Sequence, residues 1–292
     1  MLTIVLYIVY IIVKCFIIKC KKLKITFLFL HVFKKGGFQK LKTICIYNNK
    51  GGVGKTSIAG AISVELVIKG KKILMVDVDS QGNLSTQFMN KAPIENELAD
   101  YLNDYSIGLN SCIYKTRYDN LYIIPSNEMI AGGKLNAWFT NGAVKTENSD
   151  IAKYLVEDAE KLGFDYLIFD TAPAFSEANK KFILASDEVI PVLQVAQSSM
   201  DGLLNYHVSL QKLKGRNSKP LSNKIIFNQF EKSKAVQKNL LPIIEEMANK
   251  KYLIPMDQAF KKAELGRIAA QEIGIKPDTQ EVLNQIIADI EG

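Results

Sequence analysis

The sequence predicts an α/β fold: a mostly parallel, twisted sheet with helices on both faces. Three features of the chain carry that prediction. Short apolar runs recur, bounded by turn residues, with the length of buried strands. Two of these runs end in aspartate, which puts carboxylates at strand ends, where open α/β sheets hold their ligands. A glycine-rich turn joins the first run to a helical pattern, and another apolar run follows, the order of a βαβ unit.

The first strand is expected at Thr43-Ile44-Cys45-Ile46-Tyr47. After the glycine-rich turn, Ile58, Ile62 and Leu66 recur at four-residue spacing with Ala59 and Ala61 beside them, the stripe of a helix that stops at Gly70. Lys72 to Asp79 is an apolar run ending in Asp77 and Asp79, suited to a central parallel strand. Leu98 to Tyr105 reads as a short helix, and Leu121 to Ser126 as a strand stopped by Pro125. Gly132 to Ser149 is polar and contains Trp138 and Phe139. Ile151 to Leu162 reads as a helix leading into a strand from Phe164 to Asp170, which Thr171-Ala172-Pro173 breaks.

The turn itself, Asn48 to Ser57, carries the chemistry. It fits the phosphate-cradling pattern G-x-x-x-x-G-K-[ST] loosely, and Lys50 and Lys55 bracket a Gly-Gly-Val-Gly turn. Gly51, Gly52 and Gly54 let the backbone approach a polyphosphate, and the N–H groups around Val53, Thr56 and Ser57 form an anion nest at a helix N-terminus. Lys55 is expected on the β- and γ-phosphates of a nucleoside triphosphate, and the Thr56 hydroxyl on Mg²⁺. Lys50, at the mouth of the loop, is placed to reach a nucleotide held by a facing subunit. Asp170 is expected to hold Mg²⁺, with Asp77 beside it, and Asp79 to orient or deprotonate water. A lone strand-end aspartate is as often a turn residue; a pair beside a phosphate loop points to a site.

These residues match a family. Asn48 to Thr56 resembles the deviant Walker A motif of the ParA/MinD ATPases, whose signature lysine sits where Lys50 does, and small Soj-like partition ATPases are the nearest branch. Asp77-Val78-Asp79-Ser80-Gln81-Gly82-Asn83 resembles the family's D-x-D-P-Q-G-N segment, Asp165 to Pro173 its Walker B strand, and Val189 to Val192 and Ile226 to Asn228 its later strands. The resemblance runs from about Leu41 to the C-terminus. It departs at Asn49, Ser80 and Ala172, none of which removes a charge from the site. By this match Asp79 serves hydrolysis, Asn228 reads the adenine edge and the Ile254-Pro255 segment lies near the base. The resemblance implies a P-loop ATPase with ATP and Mg²⁺ as cofactors. It also implies an ATP-bound homodimer, binding to nonspecific DNA, a small centromere-binding adaptor as partner, and a cytoplasmic, nucleoid-associated location.

The net charge of +7 is uneven: residues 1–40 hold eight lysines and no acid, so residues 41–292 sum to −1. Two regions follow, an apolar, Lys-rich extension at 1–40 and an ATPase domain at 41–292. The extension is interrupted by Lys14 and Lys19 and lacks the charge order of a signal peptide. It reads as an interfacial anchor, an imperfect membrane helix, or an untranslated stretch preceding a start at Leu41, and its Ile, Lys, Phe, Leu and Tyr bias favours the last. Cys15, Cys20, Cys45 and Cys112 have no metal-ligand spacing, and a reducing compartment is the simple reading.

The leading function is plasmid or chromosome partition. Its candidate DNA contacts are two basic clusters, Lys212, Lys214, Arg216 and Lys219 around a turn, and Lys261, Lys262 and Arg267 on a helix. Isolated solvated lysines are the bland alternative for each. A membrane-cycling ATPase of MinD type is the second reading; membrane attachment then rests on the extension, because the amphipathic Glu281 to Gly292 is acidic and suits core packing. A nucleotide-gated scaffold without turnover is the third. No cysteine pair suits a bridging iron–sulfur cluster.

Overall fold

In the computed structural model, residues 40–89, 94–126, 151–173, 176–194, 224–231, 242 and 250–292 are described. The chain divides between Lys40 and Leu41, and the body is Leu41–Gly292. Its strands are β1 (Lys42–Tyr47), β2 (Ile73–Val78), β3 (Tyr114–Lys115), β4 (Leu121–Ile124), β5 (Tyr166–Thr171), β6 (Glu188–Gln194), β7 (Lys224–Phe230) and β8 (Lys250–Pro255). Its helices are α1 (Lys55–Ile68), α2 (Asn83–Phe88), α3 (Leu98–Asn103), α4 (Ile151–Lys161), α5 (Glu177–Ala185), α6 (Gln258–Gly266), α7 (Ala270–Ile273) and α8 (Pro277–Glu291).

The strands form one eight-stranded sheet in the order β3-β4-β2-β5-β1-β6-β7-β8. Every pairing among these strands is parallel except β3 with β4. The α/β, mostly parallel architecture with helices on both faces is therefore the observed one. Side chains alternate along β1: Cys45 and Tyr47 join the cluster beneath α3, α4 and α5, while Ile44 and Ile46 join the cluster beneath α1 and α8. The central strands β2 and β5 are buried at every position, which is why their sequences read as continuous apolar runs.

From β1 the chain crosses to β2 on one side of β5, whereas β6 and β7 lie on the other side of β1. That reversal opens a crevice beyond the C-terminal ends of β1, β5 and β2. Helix α1 leaves the crevice with Ile58 to Leu66 buried on nearly every side, so it is a core helix rather than a half-exposed one. Gly60 lets it approach α2, since a Cβ there would meet the Phe88 ring at 2.6 Å. The last helix buries Leu283, Ile286, Ile287 and Ile290 against α1 and β8, as its pattern predicts.

Some boundaries move. Thr171 extends β5 instead of breaking it, because its hydroxyl donates to the Ile46 carbonyl at 2.8 Å. The helix predicted to run to Tyr105 stops at Asn103 and gives way to a 3₁₀ turn at Tyr105–Ile107. Gly132 to Ser149, with Trp138 and Phe139, lies outside the described residues. Among the described residues, no helix is long and apolar enough to cross a membrane.

Candidate functional site

The loop between β1 and α1 is held from several sides. Asn48 donates to the Val192 carbonyl at 2.6 Å and accepts from the Lys50 N–H at 3.0 Å, which fixes the loop's entry to β6. Gly54 ends the loop in the left-handed region, at φ 91°, immediately before α1. It also has no room for a side chain, because a Cβ would lie 2.2 Å from Asn228 Nδ2. Asn228 Nδ2 donates to the Val53 carbonyl at 3.0 Å, and its Oδ1 accepts from the Gln229 N–H at 2.9 Å. The Val53 side chain is fully buried in the core beside α1, so only its backbone faces the loop.

Lys55 is nearly buried, and its Nζ donates to the Lys50 carbonyl at 3.3 Å. Burial pulls its amine below the usual lysine range, while the charges of Asp170 and Asp79 work in the opposite direction. A buried ammonium flanked by two carboxylates is a cation held in wait for further negative charge. Lys50 is exposed at the loop's outer edge.

Asp77 and Asp170 are direct neighbours across the β2–β5 register, and both are buried. Asp77 is saturated: its Oδ2 accepts from the Ser85 N–H at 2.8 Å and the Ser85 hydroxyl at 2.7 Å, and its Oδ1 from the Asp79 N–H at 3.2 Å. Burial and the charge of Asp170 push it well above the usual carboxylate range against those donors. Neither oxygen of Asp170 has a hydrogen-bond partner, although both are buried. Burial pushes Asp170 up to about 7, with the charge of Asp79 acting the same way, while the nearby Thr56 hydroxyl and the Lys55 ammonium pull down. A buried carboxylate with unpartnered oxygens, next to a hydroxyl and at the end of a phosphate-type loop, fits a divalent cation.

A cleft of about 590 Å³ opens over the loop and Asp79; neither Asp77 nor Asp170 lines it. Gly51, Gly52, Gly54, Lys55, Thr56, Ser57 and Asp79 line it together with Asn228, Gln229, Met256, Phe260, Lys261 and Glu264. The structure thus gathers the loop residues, Asp79 and Asn228 on one opening.

The other predicted residues sit in differing surroundings. Asp77, like Asp170, does not line the cleft; its oxygens tether Ser85 and the Asp79 loop. Asn228 does line the cleft, yet its amide braces the phosphate loop rather than standing free for a base. Pro255 closes β8 by pairing with Phe230, and the residues after it form the wall instead. Lys261, Lys262 and Arg267 are all exposed, and Lys261 also lines the cleft. Lys212, Lys214, Arg216 and Lys219 lie outside the described residues.

Sequence reasoning missed Ser85, Gln87, Gln194 and Gln229. Gln87 donates to the Ile268 carbonyl at 2.8 Å, tying α2 to the segment after α6. Gln194 ends β6 and Gln229 is the penultimate residue of β7, polar residues after apolar runs, the signal that identified the aspartates.

Residues 41–223 match the AAA domain family. The sporulation initiation inhibitor protein Soj of Bacillus subtilis is 31% identical over 163 residues, which is 56% of this chain and 62% of Soj, so the match spans less than two thirds of that relative. A Cyanothece McdA–ATP complex superposes with a TM-score of 0.73 at 19% identity, covering 87% of this chain and 97% of McdA. The septum site-determining protein MinD of Pyrococcus horikoshii, complexed with Mg-ADP, gives a TM-score of 0.64 at 21% identity, covering 86% of this chain and 96% of MinD. The deviant phosphate loop, the strand-end carboxylates and the sheet order agree with these likenesses, and the chain belongs to the ParA/Soj family of partition ATPases within the AAA domain group.

Proposed function

We propose that the chain is an ATP- and Mg²⁺-dependent dimerising switch for plasmid or chromosome partition. The observation that carries this reading is the convergence of Lys55, Thr56 and Asp79 on a single cleft, with the buried carboxylate of Asp170 close to Lys55 and Thr56. In this reading the backbone N–H groups of Gly51 to Ser57 and the Lys55 ammonium hold the phosphates, and the helix dipole of α1 adds to that field. Thr56 and Asp170 hold Mg²⁺, which supplies charge neutralisation at the phosphates when bound. Asp77 keeps the Asp79 loop in register from behind. Asp79 orients the attacking water and accepts its proton. Lys50, exposed at the rim, reaches the phosphates of the nucleotide in a second copy, so the ATP-bound form is a homodimer and hydrolysis releases it.

The dimer binds nonspecific DNA through phosphate contacts, and a small centromere-bound adaptor stimulates turnover. Lys261, Lys262 and Arg267 are candidates for that surface among the described residues, and Lys212, Lys214 and Arg216, outside the described residues, are the others. The protein is cytoplasmic and nucleoid-associated. The MinD-type alternative draws no support from α8, which packs its apolar face inward.

The test is to load purified protein with Mg²⁺ and a non-hydrolysable ATP analogue, and to weigh it by light scattering. The wild type pairs, the Lys50→Ala variant stays single, and DNA raises the hydrolysis rate of the wild type alone. A wild type that stays single under these conditions refutes the switch.

A further inference from the structure

Gly51 and Gly52 leave the phosphate loop open to rolling about its own axis. A Cβ added at either would meet nothing within 4 Å, and Gly52 already has φ 73°. A planar peptide shows its carbonyl on one edge and its N–H on the other. If the Gly52–Val53 peptide rolls over, the loop offers a carbonyl where an anion needs an N–H. Among the described residues nothing accepts from the Val53 N–H, so that edge does not hold the plane. The carbonyl edge is gripped instead: Gln194 Nε2, at the end of β6, donates to the Gly52 carbonyl at 3.1 Å.

Gln194 is itself held. Its Nε2 gives a second hydrogen to Gln229 Oε1 at 2.7 Å. A backbone carbonyl only accepts, so the Gly52 contact fixes this end of the Gln194 amide as nitrogen. Successive residues on a strand point to opposite faces, yet Asn228 and Gln229 both serve this loop, because Asn228 Nδ2 donates to the Val53 carbonyl at 3.0 Å. The backbone explains it. The β7–β8 register shifts between Phe227 and Phe230, and Gln229 has φ 58°, in the left-handed region. A bulge of this kind re-aims a side chain. Two successive loop carbonyls, of Gly52 and Val53, are thereby gripped by amides at the ends of β6 and β7.

We infer that Gln194 is a positioning residue for the phosphate loop, latching the Gly52–Val53 peptide by its carbonyl edge, and that Gln229 is the group that orients Gln194. The inference rests on the nucleotide-binding reading above. It adds that a strand-end amide which does not itself line the cleft sets the loop's affinity for a polyphosphate. Gln194 acts on the phosphates through Gly52, so its effect is blind to the base. Pre-arranging the loop spares a bound polyphosphate the cost of ordering it.

The experiment measures affinity of the full chain with Mg²⁺ for ATP and for inorganic tripolyphosphate, and the steady-state hydrolysis of ATP. Gln194→Met keeps an unbranched side chain of similar length and removes the donor. ATP and tripolyphosphate binding then both fall about fivefold, the worth of one hydrogen bond. KM for ATP rises by the same factor while kcat holds, as for an interaction made equally before and during reaction. Gln229→Met removes the acceptor that orients Gln194 and lowers both affinities about twofold; in the Gln194→Met background it lowers neither further. Unchanged tripolyphosphate binding in Gln194→Met overturns the inference and leaves the nucleotide reading standing. A fall in kcat at unchanged KM also overturns it. Additive losses in the double variant overturn the pairing of the two amides on which the inference stands. A wild type that binds neither ligand overturns the nucleotide reading and this inference together.

Discussion

Asp77 and Asp170 sit opposite one another on adjacent strands, each closing an apolar run, each buried, yet their surroundings differ. Asp77 is filled by donors from Ser85 and Asp79. Asp170 has none. Identical sequence logic has therefore produced a structural tether in one strand and a candidate metal ligand in the next. Burial of a carboxylate is costly unless something compensates it, and the type of compensation separates the two jobs. The tether is compensated within the fold. The compensation proposed for Asp170 is a bound cation.

The largest expected effect breaks or upholds this contrast directly. Asp170→Ala should weaken Mg²⁺-dependent ATP binding about 100-fold or more, and chelating Mg²⁺ from the wild type should reproduce most of that loss, measured by titration calorimetry. If the variant keeps its Mg²⁺ dependence, Asp170 is not the ligand. Stability should respond the opposite way. Asp77→Ala strands the Ser85 N–H and hydroxyl, at about 3 kcal/mol in urea unfolding without nucleotide, whereas Asp170→Asn should leave stability unchanged or raised. Equal losses in the two variants would erase the distinction. Ser85→Ala sharpens it: removing one donor to Asp77 should cost about 1–2 kcal/mol and leave the Asp170 side untouched.

The smallest effect is in pH. Folding raises the pKa of Asp170 to about 7 through burial. Its protonated form therefore favours the fold, a contribution complete below the unfolded value of about 4 and lost as pH rises through about 7. Melting temperature of the wild type without metal should fall across that window by more than that of Asp170→Asn. Identical profiles would show that the carboxylate is already compensated.

Much of this was legible in the sequence. The phosphate loop, the central strands and the inward-facing C-terminal helix follow from glycine spacing, apolar runs and period, because those signals are local. The division of labour between the aspartates was not, since it depends on Ser85, which reaches Asp77 only after the chain has turned through Gly82. The bracing of the loop by Asn228 was not legible for a related reason. Its strand position was clear, but the closeness of Gly54, which draws its amide to the loop, arises only when β7 lies beside β6. Pro255 was displaced by the residues that follow it, as the cleft begins where pairing with Phe230 ends.

The bond from Gln87 to the Ile268 carbonyl acts as a tie-rod across the mouth of the cleft. It joins the helix following the Asp79 loop to the segment after the wall that carries Lys261 and Glu264, so spreading the two banks apart there costs that bond, about 1 kcal/mol.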